Sequence, residues 1–535
     1  MYLRKPLYAV ASALALYGCG STSIVSTPVD RIDNVPLKVA DLTDDQLKNW
    51  FHSDLLTDTI PGMSVDKAYT LLKGKKGSKI IVGVIDSGID INHEDLKNVI
   101  WTNPNEIPGN GIDDDKNGYV DDIHGWNFLG DINHETLEMT RIVRGGDTSN
   151  PDYASAKAAF DEKYNEAMST KTRYEQLLQM LHQSDAAIKK ETGKETYTKA
   201  EVEAIEAKDE SMQQFKGFIL QMFSYADSIS EIENDLKDGI KHFAGQLNYN
   251  LNLEYNGRKI LGDNENDLSD APHGNNNVIG PDLEQSLHGT HVAGIIAAQR
   301  NNGVGMNGVA HNVEIMALRA VPDGDEYDKD IALAIRYAAD NGAKVINTSF
   351  GKDYSPHSQW VRDAIIYAAS KDVLIINAAG NDSKDLDKNN VFPNDQLNNG
   401  PEIADNFVTV GALNVKYGPS MVARFSNYGK INVDVFAPGV KIWATAPNNE
   451  YRFLQGTSMA SPAVAGVAAL IRSYYPKLTA SQVKKVLIQS GLTPNTNVTV
   501  GDPQTTKPFA EISKSGTIVN AYNALILAER MAKGK

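Results

Sequence analysis

Residues 80–88 read Ile80-Ile81-Val82-Gly83-Val84-Ile85-Asp86-Ser87-Gly88, a β-branched run that ends on a carboxylate and a glycine turn. A short, unbroken apolar run without polar alternation is the pattern of a strand covered on both faces, as in a parallel sheet. Open α/β sheets carry their chemistry at the carboxyl ends of such strands, which is where Asp86 stands. Further along, strand patterns over 313–320, 343–350, 373–378 and 407–412 alternate with helical patterns over 328–341 and 359–370, and helices over 478–489 and 518–531 close the chain. This alternation predicts an α/β fold: a parallel central sheet flanked by helices.

Two more blocks place reactive side chains where helices begin. Gly456-Thr457-Ser458-Met459-Ala460-Ser461-Pro462 leads into Ala463, Ala465, Gly466, Ala468 and Ala469, a hydroxyl at the head of a small-residue helix. The unpaired N–H groups of a helix N-terminus can stabilise a developing oxyanion, and Pro462 costs nothing in a first turn. His288-Gly289-Thr290-His291-Val292-Ala293-Gly294 leads in the same way into Ile295, Ile296, Ala297 and Ala298. His288 and His291 share one helical face, so spacing alone does not choose between them. Asp, His, Ser is one of three chain orders in which this triad recurs on unrelated folds.

These blocks resemble the subtilisin-like serine proteases. A fourth, Ala378-Ala379-Gly380-Asn381-Asp382, is similar to that family's oxyanion segment. The resemblance covers roughly residues 61–119 and 273–527. It implies that Asp86 orients the imidazole, His288 is the general base, Ser458 the nucleophile and Asn381 an oxyanion donor, with no cofactor for catalysis. It further implies a pocket for the residue before the cut. One wall would be Ser349, Phe350 and Gly351, the facing wall Ala378, Ala379 and Gly380, and the floor Val391-Phe392-Pro393. Neither wall holds an acid, so no preference for basic residues is expected. The expected function is a serine endopeptidase acting on proteins or peptides. The competing reading is an envelope lipoprotein that binds a partner and keeps the protease core as a scaffold.

The span between Asp86 and His288 is far longer than in that family, so it holds an insertion. Its first part, Asp113-Asp114-Asp115-Lys116-Asn117-Gly118-Tyr119-Val120-Asp121, offers oxygens from Asp113, Asp115, Asn117, the Tyr119 carbonyl and Asp121 at the spacing of an EF-hand-like calcium loop. His124 stands where the bidentate Glu of a full EF-hand would be; the plainer reading is a solvated acidic turn. A second calcium site resembling the family's own would use Asp95 and Asn301. From 151 to 245 the chain turns Glu-, Lys- and Ala-rich, with apolar residues at three- and four-residue steps. This predicts two long helices, the second opened by a Thr198/Glu201 capping box, packed as a helical hairpin. The hairpin reads as a structural clasp, or as a lid or arm for a protein partner.

At the N-terminus, Arg4 and Lys5 precede an apolar run from Leu7 to Tyr17, too short to span a bilayer and of signal-peptide length. Cys19, the only cysteine, follows in a context resembling a bacterial lipobox, which implies lipidation at Cys19 and an exported protein anchored at the cell envelope; ordinary secretion is the alternative. The expected organisation is a signal peptide over 1–19, a tether and N-terminal arm over 20–60, the first part of the catalytic domain over 61–150, the hairpin over 151–245 and the remainder of the domain over 246–535. A formal charge of −16 over 535 residues argues against nucleic-acid partners, which need clustered cations. One cysteine permits no internal disulfide.

Overall fold

The computed structural model describes residues 32–34 and 40–534. The signal segment, Cys19 and most of the tether lie outside them. Seven parallel strands form the central sheet: β1 (Ile80–Asp86), β2 (Gly125–Asn127), β3 (Val313–Arg319), β4 (Val345–Thr348), β5 (Leu374–Ala378), β6 (Phe407–Leu413) and β7 (Val435–Pro438), in spatial order β2-β3-β1-β4-β5-β6-β7. β1 is therefore an interior strand, and the order reverses beside it. Two small antiparallel hairpins, β8 (Ile442–Ala446) with β9 (Glu450–Leu454) and β10 (Asn497–Val500) with β11 (Thr505–Pro508), complete the strands. The short β2 and β7 and these hairpins carry too little apolar periodicity to be read from the sequence.

The helices are α1 (Asp44–Asn49), α2 (Val65–Leu72), α3 (Glu138–Gly145), α4 (Tyr153–Thr192), α5 (Lys199–Glu203), α6 (Glu210–Met222), α7 (Ile229–Gly245), α8 (Arg258–Leu261), α9 (Leu287–Ala297), α10 (Asp328–Asp340), α11 (Ser358–Ser370), α12 (Thr457–Tyr474), α13 (Ala480–Gln489) and α14 (Ala521–Ala532). Among the described residues none is long and apolar enough to cross a membrane. The period of two along β1 sorts the layers. Ile80, Val82 and Val84 pack under α9 and α12, whereas Ile81 and Ile85 face α10 and α11. Asp86 continues the even series and so faces α9 and α12, the helices that carry the histidine block and Ser458.

The N-terminal arm is part of the core. Trp50 and Phe51 are fully buried, and Trp50 Nε1 donates to the carbonyls of Val440 and Lys441, both at 3.1 Å. Truncating either ring costs about 3–5 kcal/mol. The stretch expected to be tether is fastened as well: Ile32 is fully buried, and Asp33 accepts hydrogen bonds from Tyr417 Oη and the Asn495 N–H.

The first arm of the inserted hairpin is one 40-residue helix, α4, closed by Gly193 in the left-handed region. The second arm is three helices instead of the one expected. The Thr198/Glu201 capping box is present but opens only the five-residue α5, and fresh N-caps follow at Asp209 and Ser228. Each of these side chains accepts a backbone N–H in the next helix, so the chain restarts where periodicity alone reads straight on. Ser228 and Glu231 even form the S-x-x-E pattern of a helix start. The hairpin has two separate cores. Near the domain, Phe160 and Ala167 pack with Met139, Leu251, Phe243 and Tyr354; at the far end, Leu181, Ile188, Val202, Ile219 and Ile232 pack only with one another and their hairpin neighbours.

Candidate active site

Asp86 ends β1, and His288 lies in the first turn of α9. His288 Nδ1 sits 2.7 Å from Asp86 Oδ1, which also accepts the Ser87 N–H. A carboxylate there takes the Nδ1 proton, so Nε2 of the neutral ring is the free acceptor. This approach depends on Gly289, where a Cβ would lie 2.1 Å from the Gly88 carbonyl oxygen and 3.1 Å from Asp86. Of the two histidines, only His288 meets Asp86 among the described residues. His291 is buried with Nε2 on the Arg452 carbonyl at 3.0 Å, and burial lowers its pKa to about 4, so it stays neutral away from Asp86.

Ser458 is the second residue of α12. Its hydroxyl donates to the Ser349 carbonyl at 3.1 Å, and among the described residues it makes no hydrogen bond to His288. A chain of side chains holds the nucleophile's backbone: Ser461 Oγ donates to Asn347, Asn347 Nδ2 to Ser349 Oγ, and Ser349 Oγ to the Ser458 carbonyl. Asn381 Oδ1 accepts both the N–H and the hydroxyl of Thr457, at 2.9 and 3.0 Å. An N–H can only donate, so this contact fixes the amide orientation and leaves Nδ2 as the outward donor. A Cβ on Gly456 would lie 3.5 Å from both Asn381 Nδ2 and Ser458 N. The two donors therefore flank one point that the absence of a side chain keeps open.

A cleft of about 320 Å³ leads to Ser458. Ser349, Phe350 and Gly351 line it on one side, with Ala378, Gly380 and Asn381 opposite. Ala379 does not line it; it lines a separate polar cavity behind the wall, which Ala378 also borders. Of the expected floor only Val391 reaches the cleft, while Phe392 and Pro393 border a small neighbouring cavity. The two walls themselves hold no acid, but Asp325, Glu326, Asp353 and Asp382 also line the cleft, brought in by loops that pattern reading does not place. Leu137, Met139 and Lys163 line it too, and all three come from the inserted region.

A family model described as the subtilase family of peptidases matches residues 77–505. The chain belongs to the subtilase family. Similar relatives include a thermophilic serine proteinase of Bacillus sp. strain AK1, 46% identical over 192 residues, which are 36% of this chain and 44% of that one. Subtilisin DY of Bacillus licheniformis is 39% identical over 201 residues, 37% of this chain and 68% of that one. Thermitase of Thermoactinomyces vulgaris is 40% identical over 187 residues, 35% of this chain and 61% of that one. The matched stretch thus spans less than half of the first relative and about two thirds of the other two.

In this subtilase, burial opposes the imidazolium of His288, but the charge of Asp86 and the hydrogen bond to it outweigh burial, and the pKa is raised above 6.5. As the expected general base, His288 must be neutral to act, so activity is expected to fall as pH drops through that raised value. The acid limb of a kcat/KM profile is expected to have its midpoint above 6.5. A midpoint below it would contradict the Asp86–His288 geometry.

The acidic loop departs from its sequence reading. Asp113 and Asp115 bring carboxylate oxygens together, and the third partner is Glu106, all within 4.8 Å of one another. Asp121 is spent elsewhere: its two oxygens accept the N–H groups of Gly109 and Gly111, and its own backbone is left-handed at φ 52°. Asn117 donates to Asp122, its Oδ1 accepts the Tyr119 N–H, and the Tyr119 ring packs on Trp126 and Tyr337. Glu106 lies outside the twelve-residue window that pointed to the loop, so spacing could not find it. At the second expected calcium site, Asp95 is met by Asn302 Nδ2 at 2.6 Å and the Met306 N–H at 3.2 Å. Asn301 instead turns its backbone N–H to Asn307, so Asn302 takes the place expected of it.

Proposed function

We propose that this subtilase is a serine endopeptidase that cleaves protein or peptide substrates through an acyl-enzyme. One observation carries the reading: Asn381 Nδ2 and Ser458 N flank a common point at the head of α12, while Asp86 holds His288 with Nε2 free. An extended substrate lies along the edge at residues 349–351, held by main-chain hydrogen bonds. Ser458 Oγ turns from the Ser349 carbonyl to His288, gives up its proton to Nε2 and attacks the scissile carbonyl. The carbonyl oxygen becomes an oxyanion between the two donors, and Asp86 stabilises the imidazolium. His288 then protonates the leaving amine. A water, deprotonated by the same imidazole, hydrolyses the ester and restores Ser458. The names of the relatives, a serine proteinase, a subtilisin and a thermitase, support the class. A fluorophosphonate probe is expected to label Ser458, and labelling that survives Ser458→Ala would refute its role.

The proposal extends to location and metal. Lipidation at Cys19 would anchor the enzyme at the envelope of a bacterium; radiolabelled palmitate should enter the full chain and be lost in Cys19→Ala. Calcium is proposed at Glu106, Asp113 and Asp115. Glu106 is 7% exposed and its Oε2 has no partner among the described residues, an arrangement that a hard cation with oxygen ligands would relieve. Calcium at a hundredfold excess over its Kd would add about 2.7 kcal/mol of stability. Chelation should therefore lower the melting temperature, and Glu106→Gln with Asp115→Asn should abolish that response. An undiminished response would place the stabilising ion elsewhere, for example at Asp95.

A further inference from the structure

The inserted region is joined to the catalytic cleft through charge and packing. Glu138 of α3 accepts Lys352 Nζ at 2.8 Å and Arg141 Nη2 at 2.6 Å, all three groups being buried, and Lys352 is the residue after the wall residue Gly351. Tyr354, two residues on, packs into the core at the base of the hairpin. Leu137 and Met139 line the cleft beside α3, and Lys163 reaches it from α4.

Lys163 differs from its neighbours. Along α4, Lys157 pairs with Asp161 and Lys171 with Glu175, each one turn on, and Lys189 with Asp185 one turn back. One turn on from Lys163 is Ala167, and one turn back is Ala159. Lys163 is exposed and has no ion pair among the described residues. The other cation of the cleft, Lys352, is engaged by Glu138, Asp328 and the Glu326 carbonyl. Most of the acids that line the cleft are occupied as well. Asp353 pairs with Lys384, Asp325 accepts the Glu138 N–H, and burial pushes the Glu326 carboxyl up to about 8, which leaves it largely neutral at pH 7. Asp382, next to Asn381, has no ion pair among the described residues.

We propose that the inserted helices form part of the substrate-binding surface and that Lys163 is a specificity-determining residue. It would favour an acidic side chain on the substrate, on the side of the cut that runs past Phe350 and Tyr354. This rests on the protease reading. Substrate contact with Leu137 and Met139 brings the chain alongside α4, and a carboxylate there would pair with Lys163, the cation of α4 that lines the cleft. The pair is partly solvated, so it selects by charge and weakens with salt.

The test uses the full chain and three sets of fluorogenic peptides with Glu, Gln or Lys placed in turn at each of the five positions preceding the cut. The wild type is expected to show a kcat/KM ratio of Glu over Lys peptides of about five at one of these positions, shrinking in high salt. Lys163→Gln should bring that ratio near one, Lys163→Glu should invert it, and Lys163→Arg should preserve it. A ratio that changes less than twofold in Lys163→Glu, or a uniform fall for all three sets, would overturn the proposal. Hydrolysis of the Gln peptides by the wild type, lost in Ser458→Ala, reports the protease reading separately from the charge selection.

Discussion

Ser458→Ala is expected to abolish peptide hydrolysis, with kcat down by about 10⁶-fold, a magnitude carried over from the corresponding residue of subtilisin. The loss is this large because, in the proposed mechanism, the hydroxyl oxygen forms the acyl bond; the oxyanion donors alone would leave only the residual rate of a well-bound substrate attacked by water. The fold should survive. The hydroxyl's one described bond is to the Ser349 carbonyl, and the reciprocal bond from Ser349 Oγ to the Ser458 carbonyl does not involve the Ser458 side chain. Losing one such hydrogen bond costs about 1 kcal/mol. Thermal unfolding and peptide turnover measured together check both halves, and residual hydrolysis above one part in a thousand of wild type would exclude Ser458 as the nucleophile.

Asn381→Ala comes second, with kcat expected to fall by roughly 10²–10³, again the value known for the oxyanion donor of subtilisin. In the proposed mechanism Nδ2 meets the substrate oxygen only once it becomes an oxyanion, so KM should move far less than kcat. The substitution also frees the Thr457 N–H and hydroxyl, which Asn381 Oδ1 now accepts. Gly456→Ala offers an independent check of the same point. Its methyl would stand 3.5 Å from both donors, on a backbone at φ 152° that L residues rarely adopt. Equal effects on kcat and KM in Asn381→Ala would indicate ground-state binding and count against the oxyanion role.

The inserted hairpin shows where reading by period stops. Forty residues of α4 follow one apolar stripe and are legible as a helix. The second arm keeps a similar stripe, yet Asp209 and Ser228 break it by capping, since a side chain that satisfies a backbone N–H competes with helix continuation. Two self-satisfied stripes also suggest an appendage. The packed cores instead make the base of the hairpin continuous with the cleft through Met139 and Tyr354, leaving only the far end independent.

The sequence by itself determined the parallel α/β sheet, the position of Asp86 at a strand end, and the placement of His288 and Ser458 at helix starts. Each is a local matter of period, capping and chain order, written in consecutive residues. Only the tertiary structure decided that His288 and not His291 meets Asp86, that Glu106 joins Asp113 and Asp115 while Asp121 turns away, that Asn302 and not Asn301 reaches Asp95, and that Lys163 borders the cleft. These depend on where loops and insertions return in space. Such returns are set by contacts between residues far apart in the chain, and spacing along the chain does not encode them.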